Sequence, residues 1–159
     1  MRPPSKAIVS HEASIEIAAP ARTLYDMVSD ISRMGEWSPE ATGGHWADGA
    51  TGVAGDWFTG SNRTSERAWE RDCQVATADP GRDFTFVTGG LEASWTWWSY
   101  EFEPMSETST TVTERWWIIN KSPAMEAATP EQFAARTAYT LQMIEATLAA
   151  LKERAEADS

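Results

Sequence analysis

The chain has a single cysteine, Cys73, and two histidines, His11 and His45. One thiol excludes an internal disulfide framework and any cysteine zinc cluster. No histidine pair has ligand spacing, so neither a metal nor a cofactor is expected. Basic residues are also scarce: 13 Lys and Arg against 24 Asp and Glu leave a formal charge of −11. Phosphate backbones and anionic membrane surfaces repel such a chain, which argues against nucleic acid as a partner. No apolar run approaches the ~18 residues of a membrane span, so no membrane insertion is expected. Residues 1–6 lack the apolar middle of a secretion signal, which points to the cytoplasm. There is no Gly-Lys-Ser/Thr phosphate loop and no Gly-x-Ser-x-Gly nucleophile elbow. Tryptophan, by contrast, is in excess, with nine in 159 residues. Apolar residues at 42% and charged residues at 23% are ordinary for a folded chain. One domain is expected over residues 7–155, with 1–6 and 156–159 as flexible ends.

From Ala7 to Ile17 apolar residues alternate with Ser and Glu, the period of a half-buried strand. Pro20 suits the first turn of a helix, and Leu24, Val28 and Ile31 follow at helical spacing. A short helix is expected at 20–28 and a second helical turn at 30–35. Residues 41–63 hold six of the ten glycines. They read as strands near 42–48 and 54–63, joined by a turn around Gly49–Gly52. Trp69, Arg71, Cys73 and Val75 alternate with polar residues as another strand. Asp79-Pro80-Gly81 and Gly89-Gly90 are turns flanking a strand with Phe84 and Phe86. Two more strands are expected, at 94–103 and 110–118, followed by a loop over 119–128. Thr129-Pro130-Glu131-Gln132 is a capped helix start. Phe133, Thr137, Leu141, Ile144, Leu148 and Leu151 then form one apolar stripe. Strand-period and helix-period segments are segregated, which defines an α+β fold. The long terminal helix is the only element able to cover the sheet.

Several motifs resemble one family in order and spacing. Ile15-x-Ile17-Ala18-Ala19-Pro20 runs into Leu24-Tyr25-Asp26-Met27-Val28-Ser29-Asp30, then Glu36-Trp37-Ser38-Pro39. Val53-x-Gly55-x-x-Phe58-x-Gly60-x-Asn62-Arg63, Trp69-x-x-x-Cys73-x-Val75 and Pro80-Gly81-Arg82 follow. Trp98-x-Tyr100-x-Phe102-x-Pro104 and Thr111-x-Thr113-Glu114-x-Trp116 complete the set. Over residues 8–152 the chain resembles the SRPBCC superfamily of START-like, polyketide cyclase/dehydrase-like helix-grip proteins. The resemblance implies a curved seven-stranded antiparallel sheet gripping the C-terminal helix, with two short helices after the first strand. It also implies a cavity between sheet and helix for a small hydrophobic or aromatic, polyketide- or lipid-like ligand.

Strand parity selects residues facing that cavity. Phe58, Asn62, Trp69, Cys73, Phe84 and Phe86 fall on the inner face of the first half of the sheet. Trp98, Tyr100, Phe102 and Trp116 do so in the second half, and the helix adds Phe133, Thr137 and Leu141. Glu114 lies between Val112 and Trp116 on the same parity. A buried carboxylate is either paired or neutral. A Glu114–Arg71 pair is expected, with Asn62 or Tyr100 adding hydrogen bonds. Glu114, Arg71 and His11 are the candidate catalytic groups. Trp57, Trp95 and Trp97 fall on the outward parity and could form a homodimer interface, unless a bulge turns them inward. Three functions remain open: a binder of a small apolar ligand, a cyclase or dehydratase using the pocket Glu and Arg, and an interaction protein whose cavity is filled by Trp.

Overall fold

The computed structural model describes residues 1–158. The first strand, β1 (Val9–Ile17), leads into helix α1 (Ala21–Ser29) and a 3-10 turn at Ile31–Glu36. Then come β2 (Ala41–Trp46), β3 (Trp57–Arg63), β4 (Ala68–Asp79) and β5 (Asp83–Thr88). A single helical turn, α2 (Gly90–Ala93), precedes β6 (Thr96–Ser106) and β7 (Ser109–Ile118). The chain closes with α3 (Pro123–Ala127) and α4 (Pro130–Ala157). All seven strands form one antiparallel sheet in the order β1-β7-β6-β5-β4-β3-β2. This is the α+β helix-grip architecture read from the sequence. Register shifts at Ala41/Gly43, Val75/Thr77 and Pro104/Ser106 bend the sheet, since an extra residue in one strand sharpens its local twist.

The long helix starts where its sequence says it should. Thr129 accepts from the Gln132 amide, and the Gln132 side chain returns a bond to the Thr129 amide. The C-terminal half of α4 lays Leu148, Leu151 and Ala155 onto a solid core. Burying each Leu contributes about 2 kcal/mol. Helix α1 seals the same end: the Tyr25 ring meets Phe84 at 6.1 Å and Phe102 at 5.9 Å, both edge-on. Phe84 and Phe102 are therefore core, not cavity lining as expected from parity. The N-terminal half of α4 stands away from the sheet, and the cavity lies beneath it.

The outer face of the sheet differs from expectation. Trp97 points outward yet is only 2% exposed. It packs with Val87, Trp117 and Ile119 in a second cluster, against Ala7 and Ala76. Its indole N–H donates to Ser94 Oγ at 2.7 Å. The first residues run along this face, and the Met1 amino group donates to Thr85 and Ser99 at 3.1 Å each. Trp95 precedes β6 and borders the cavity. Of the three outward tryptophans only Trp57 is exposed, so no three-Trp patch faces solvent. Among the described residues no helix is long and apolar enough to cross a membrane.

Candidate functional site

Between the sheet and the N-terminal half of α4 is a cavity of about 550 Å³. A ligand of several fused rings fits in that volume. The tryptophans border the cavity and do not fill it. Phe58, Cys73, Phe86, Trp98 and Trp116 form its apolar floor and walls. Phe133, Thr137, Thr140, Met143 and Thr147 form its roof on α4. Leu141, expected in this set, sits half-buried on the flank of the helix and does not reach it. Cys73 is buried, and burial pushes its thiol up to about 12, so it lines the wall as an inert small hydrophobe.

Among the aromatic walls of this space lies a buried carboxyl, Glu114, 2% exposed. It faces Tyr100 directly across β6 and β7, and the phenol donates to Glu114 Oε1 at 2.9 Å. The second oxygen, Oε2, has no partner among the described residues. Burial raises the Glu114 carboxyl to about 8, with the Tyr100 hydrogen bond acting in the opposite direction. At neutral pH it is therefore a carboxylic acid, and its second oxygen can carry a donatable proton toward the cavity. Burial and the adjacent carboxyl likewise hold the Tyr100 phenol well above its usual range.

The expected Glu114–Arg71 ion pair does not form. Arg71 lies on β4, three strands from β7. Through the pairs Tyr100↔Glu114, Phe86↔Trp98 and Cys73↔Thr88 it is also displaced six residues along the strands, two on each of β6, β5 and β4. That separation is roughly 25 Å over the sheet surface, beyond the reach of any side chain. Instead, Arg71 Nη1 donates to the Glu70 carbonyl at 2.9 Å. His11 is not a cavity residue either. It stacks on Trp116 at 5.6 Å, half-buried on β1, outside the lining.

Arg71 belongs to the solvent-facing end of the cavity, with Asn62, Trp69, Arg67 and Arg136. The Arg136 fork closes on Glu40 with Nη1–Oε1 2.5 Å and Nη2–Oε2 2.7 Å, tying α4 to the start of β2. Glu40 is buried, and its carboxylate raises the Arg136 guanidinium above its ordinary value. Arg67 lies over the Trp69 ring at 4.3 Å and Arg136 approaches it at 6.0 Å. Glu40, Arg67 and Arg136 escaped the sequence reading. Arg136 lies one residue before Thr137 on a predicted cavity face, the one signal that could have found it.

Aromatic walls, a buried acid and a cationic rim are the make-up common to small-molecule pockets. The chain belongs to the family described as "Polyketide cyclase / dehydrase and lipid transport", whose pattern matches residues 9–156. The solution structure of the Polyketide_cyc-like protein Cgl2372 from Corynebacterium glutamicum is 33% identical. The match covers 96% of this chain and 94% of that one, with a TM-score of 0.68. A START superfamily protein from Mycobacterium smegmatis shares the fold at 16% identity and TM-score 0.67, over 94% and 99% of the two chains. So does the di-domain ARO/CYC protein BexL of the BE-7585A biosynthetic pathway, at 17% identity and TM-score 0.70. This chain, over 94% of its length, spans 47% of BexL. None of the curated proteins matches the sequence. Family and fold together point to a hydrophobic ligand-binding or polyketide cyclase-like role.

Proposed function

We propose that the protein binds a flat, largely apolar molecule carrying a carbonyl, and that Glu114 donates a hydrogen bond to that carbonyl. The observation that carries this reading is the unpartnered Glu114 Oε2, buried in the wall of an apolar cavity. An orphaned polar atom there costs free energy that a ligand acceptor recovers. Tyr100 orients the carboxyl, and the aromatic walls provide the apolar contacts. Quenching of tryptophan fluorescence measures the binding, since Trp69, Trp98 and Trp116 border the cavity. 9-Fluorenone is expected to bind about tenfold more tightly than fluorene, which lacks the carbonyl, below pH 8. The preference should fade above pH 8 as the acid ionises. Glu114→Gln retains a donor, so it should retain the preference at every pH, and Glu114→Leu should lose it. Equal binding of ketone and hydrocarbon, or no binding of either, would sink the reading.

A second reading is favoured by the raised pKa of the buried Glu114 carboxyl in the cavity wall. A carboxyl near 8 suits proton transfer to a substrate carbonyl, as in cyclisation or dehydration of a polyketone. Glu114→Gln separates the two readings: it preserves binding of a poly-β-ketone thioester mimic but abolishes any turnover, followed as loss of water. Turnover that survives in Glu114→Gln excludes Glu114 as the acid.

A further inference from the structure

Charged groups lining the cavity run against the charge of the chain. The net charge is −11, yet the described lining carries three arginines, Arg67, Arg71 and Arg136, and two glutamates, Glu40 and Glu114. Glu40 is occupied by Arg136 through both carboxylate oxygens. Glu114 is neutral and far away. That leaves the other two arginines uncompensated at one end of an apolar space. Arg67 is exposed over Trp69 and is solvated. Arg71 is different. It is half-buried on the inner face of β4 between Trp69 and Cys73, and no carboxylate among the described residues forms an ion pair with it. Its one protein partner is the backbone carbonyl of Glu70. Burial, then the charges of Arg67 and Arg136, hold its guanidinium below the ordinary arginine value. A cation kept in that position without a counterion is a cost to the fold that an anionic ligand removes.

We propose that Arg71 is the head-group site for a carboxylate, so that the natural ligand is an amphipathic acid with its ring system inward and its carboxylate at the rim. The inference rests on the pocket-binding reading and adds the ligand class to it. A carboxylate suits the planar Arg fork and carries the single charge that Arg71 leaves open. A phosphate monoester brings nearly two charges where half-buried Arg71 offers one, Arg67 being exposed and solvated. Asn62 lies at the same rim and can serve a carboxylate oxygen through its amide.

The test uses 1-pyrenebutyrate and 1-pyrenebutanol, which share rings and tether and differ in the head group. Neither depends on a carbonyl for Glu114. In titrations followed by pyrene fluorescence at low salt, the butyrate should bind about tenfold more tightly than the butanol. Arg71→Gln should erase that advantage, so that within the variant the butyrate binds no more tightly than the butanol. The variant should melt no lower than the parent, because it removes an unpaired cation and not a structural ion pair. Millimolar inorganic phosphate should not displace the butyrate. Equal binding of the two probes overturns the carboxylate site while leaving the pocket reading intact. A butyrate preference that survives in Arg71→Gln overturns the assignment to Arg71, and displacement by phosphate overturns the choice of a carboxylate. Failure of both pyrene probes and of 9-fluorenone defeats the pocket reading itself.

Discussion

Glu114→Gln should make the protein more stable at neutral pH, although most substitutions of buried polar groups destabilise. The reason is the direction of the titration. In the unfolded chain the Glu114 carboxyl ionises near 4.5, whereas in the fold burial holds its proton until about pH 8. Between those limits the native state binds more protons than the unfolded one. Stability from this group is therefore complete below 4.5 and is lost as pH rises toward 8. Each pH unit in that window costs about 1.4 kcal/mol, so at pH 7 the native state gives up roughly 3 kcal/mol. Gln has the same shape and does not titrate. Its amide oxygen can accept the Tyr100 hydroxyl as Glu114 Oε1 does now.

Thermal unfolding of both proteins from pH 4 to pH 9 measures the effect. The difference in Tm should be near zero at pH 4 and reach roughly 6–12 °C at pH 7. It should stop growing above pH 8, where the carboxyl is ionised in both states. Other carboxylates titrate in this range, but they are common to both proteins and cancel in the difference. A gap that is constant with pH would refute the reasoning. So would a Gln variant that melts lower at pH 7, since that places a charged Glu114 beside a favourable partner.

Two further outcomes are expected from packing and charge alone. Arg136→Met strips the buried Glu40 carboxylate of both bonds and should cost about 1–2 kcal/mol in urea denaturation, reduced from a fully buried pair because Arg136 is 42% exposed. The double variant Glu40→Gln/Arg136→Met should recover most of that loss, because no charge is then stranded. Gly90→Ala should lower stability by about 2 kcal/mol, since Gly90 has φ +87° and a Cβ there would enter the Trp57 ring. Placing it in a Trp57→Ala background should halve the loss, leaving the backbone strain alone.

The succession of strands along the chain and the long helix were legible because each has a period repeated many times over, while the seven-stranded sheet followed from the family resemblance. Two later helical turns were not legible: α2 has four residues and α3 five, too few for a period to show. On α4 the apolar stripe passed over Thr140 and Thr147, which are buried. A helical threonine can bond back to its own helix and present a methyl, as Thr140 Oγ1 does to the Arg136 carbonyl at 2.9 Å. The stripe took Leu141 where the fold buries its neighbour Thr140. Parity identified the inner-facing Glu114 and Tyr100, which meet across a single hairpin where register is short-range. It failed for Arg71 because pairing that residue with Glu114 requires the offsets of three successive strand pairs. Outward parity held for Trp97 but did not expose it, because residues distant in sequence cover that face.

The absent Glu114–Arg71 pair also explains how one pocket holds two opposite polar groups. An arginine beside Glu114 would lower its carboxyl and ionise it at neutral pH. The acid could then accept hydrogen bonds but not donate one. A carboxylate beside Arg71 would neutralise the rim and leave nothing for an anion to meet. Distance along the curved sheet keeps both groups unspent. Glu114 stays protonated because its surroundings are apolar and its neighbour is a neutral phenol. Arg71 stays open because Arg136, the cation next to it, has taken the nearby buried acid, Glu40. A ligand aligned with this gradient places an acceptor inward and a negative charge outward. The reverse orientation would bury a charge beside Glu114 and leave Arg71 without a counterion. On the proposed assignment of Glu114 and Arg71 the pocket would select the direction of entry as well as the class of ligand, the reversed pose being disfavoured at both ends at once.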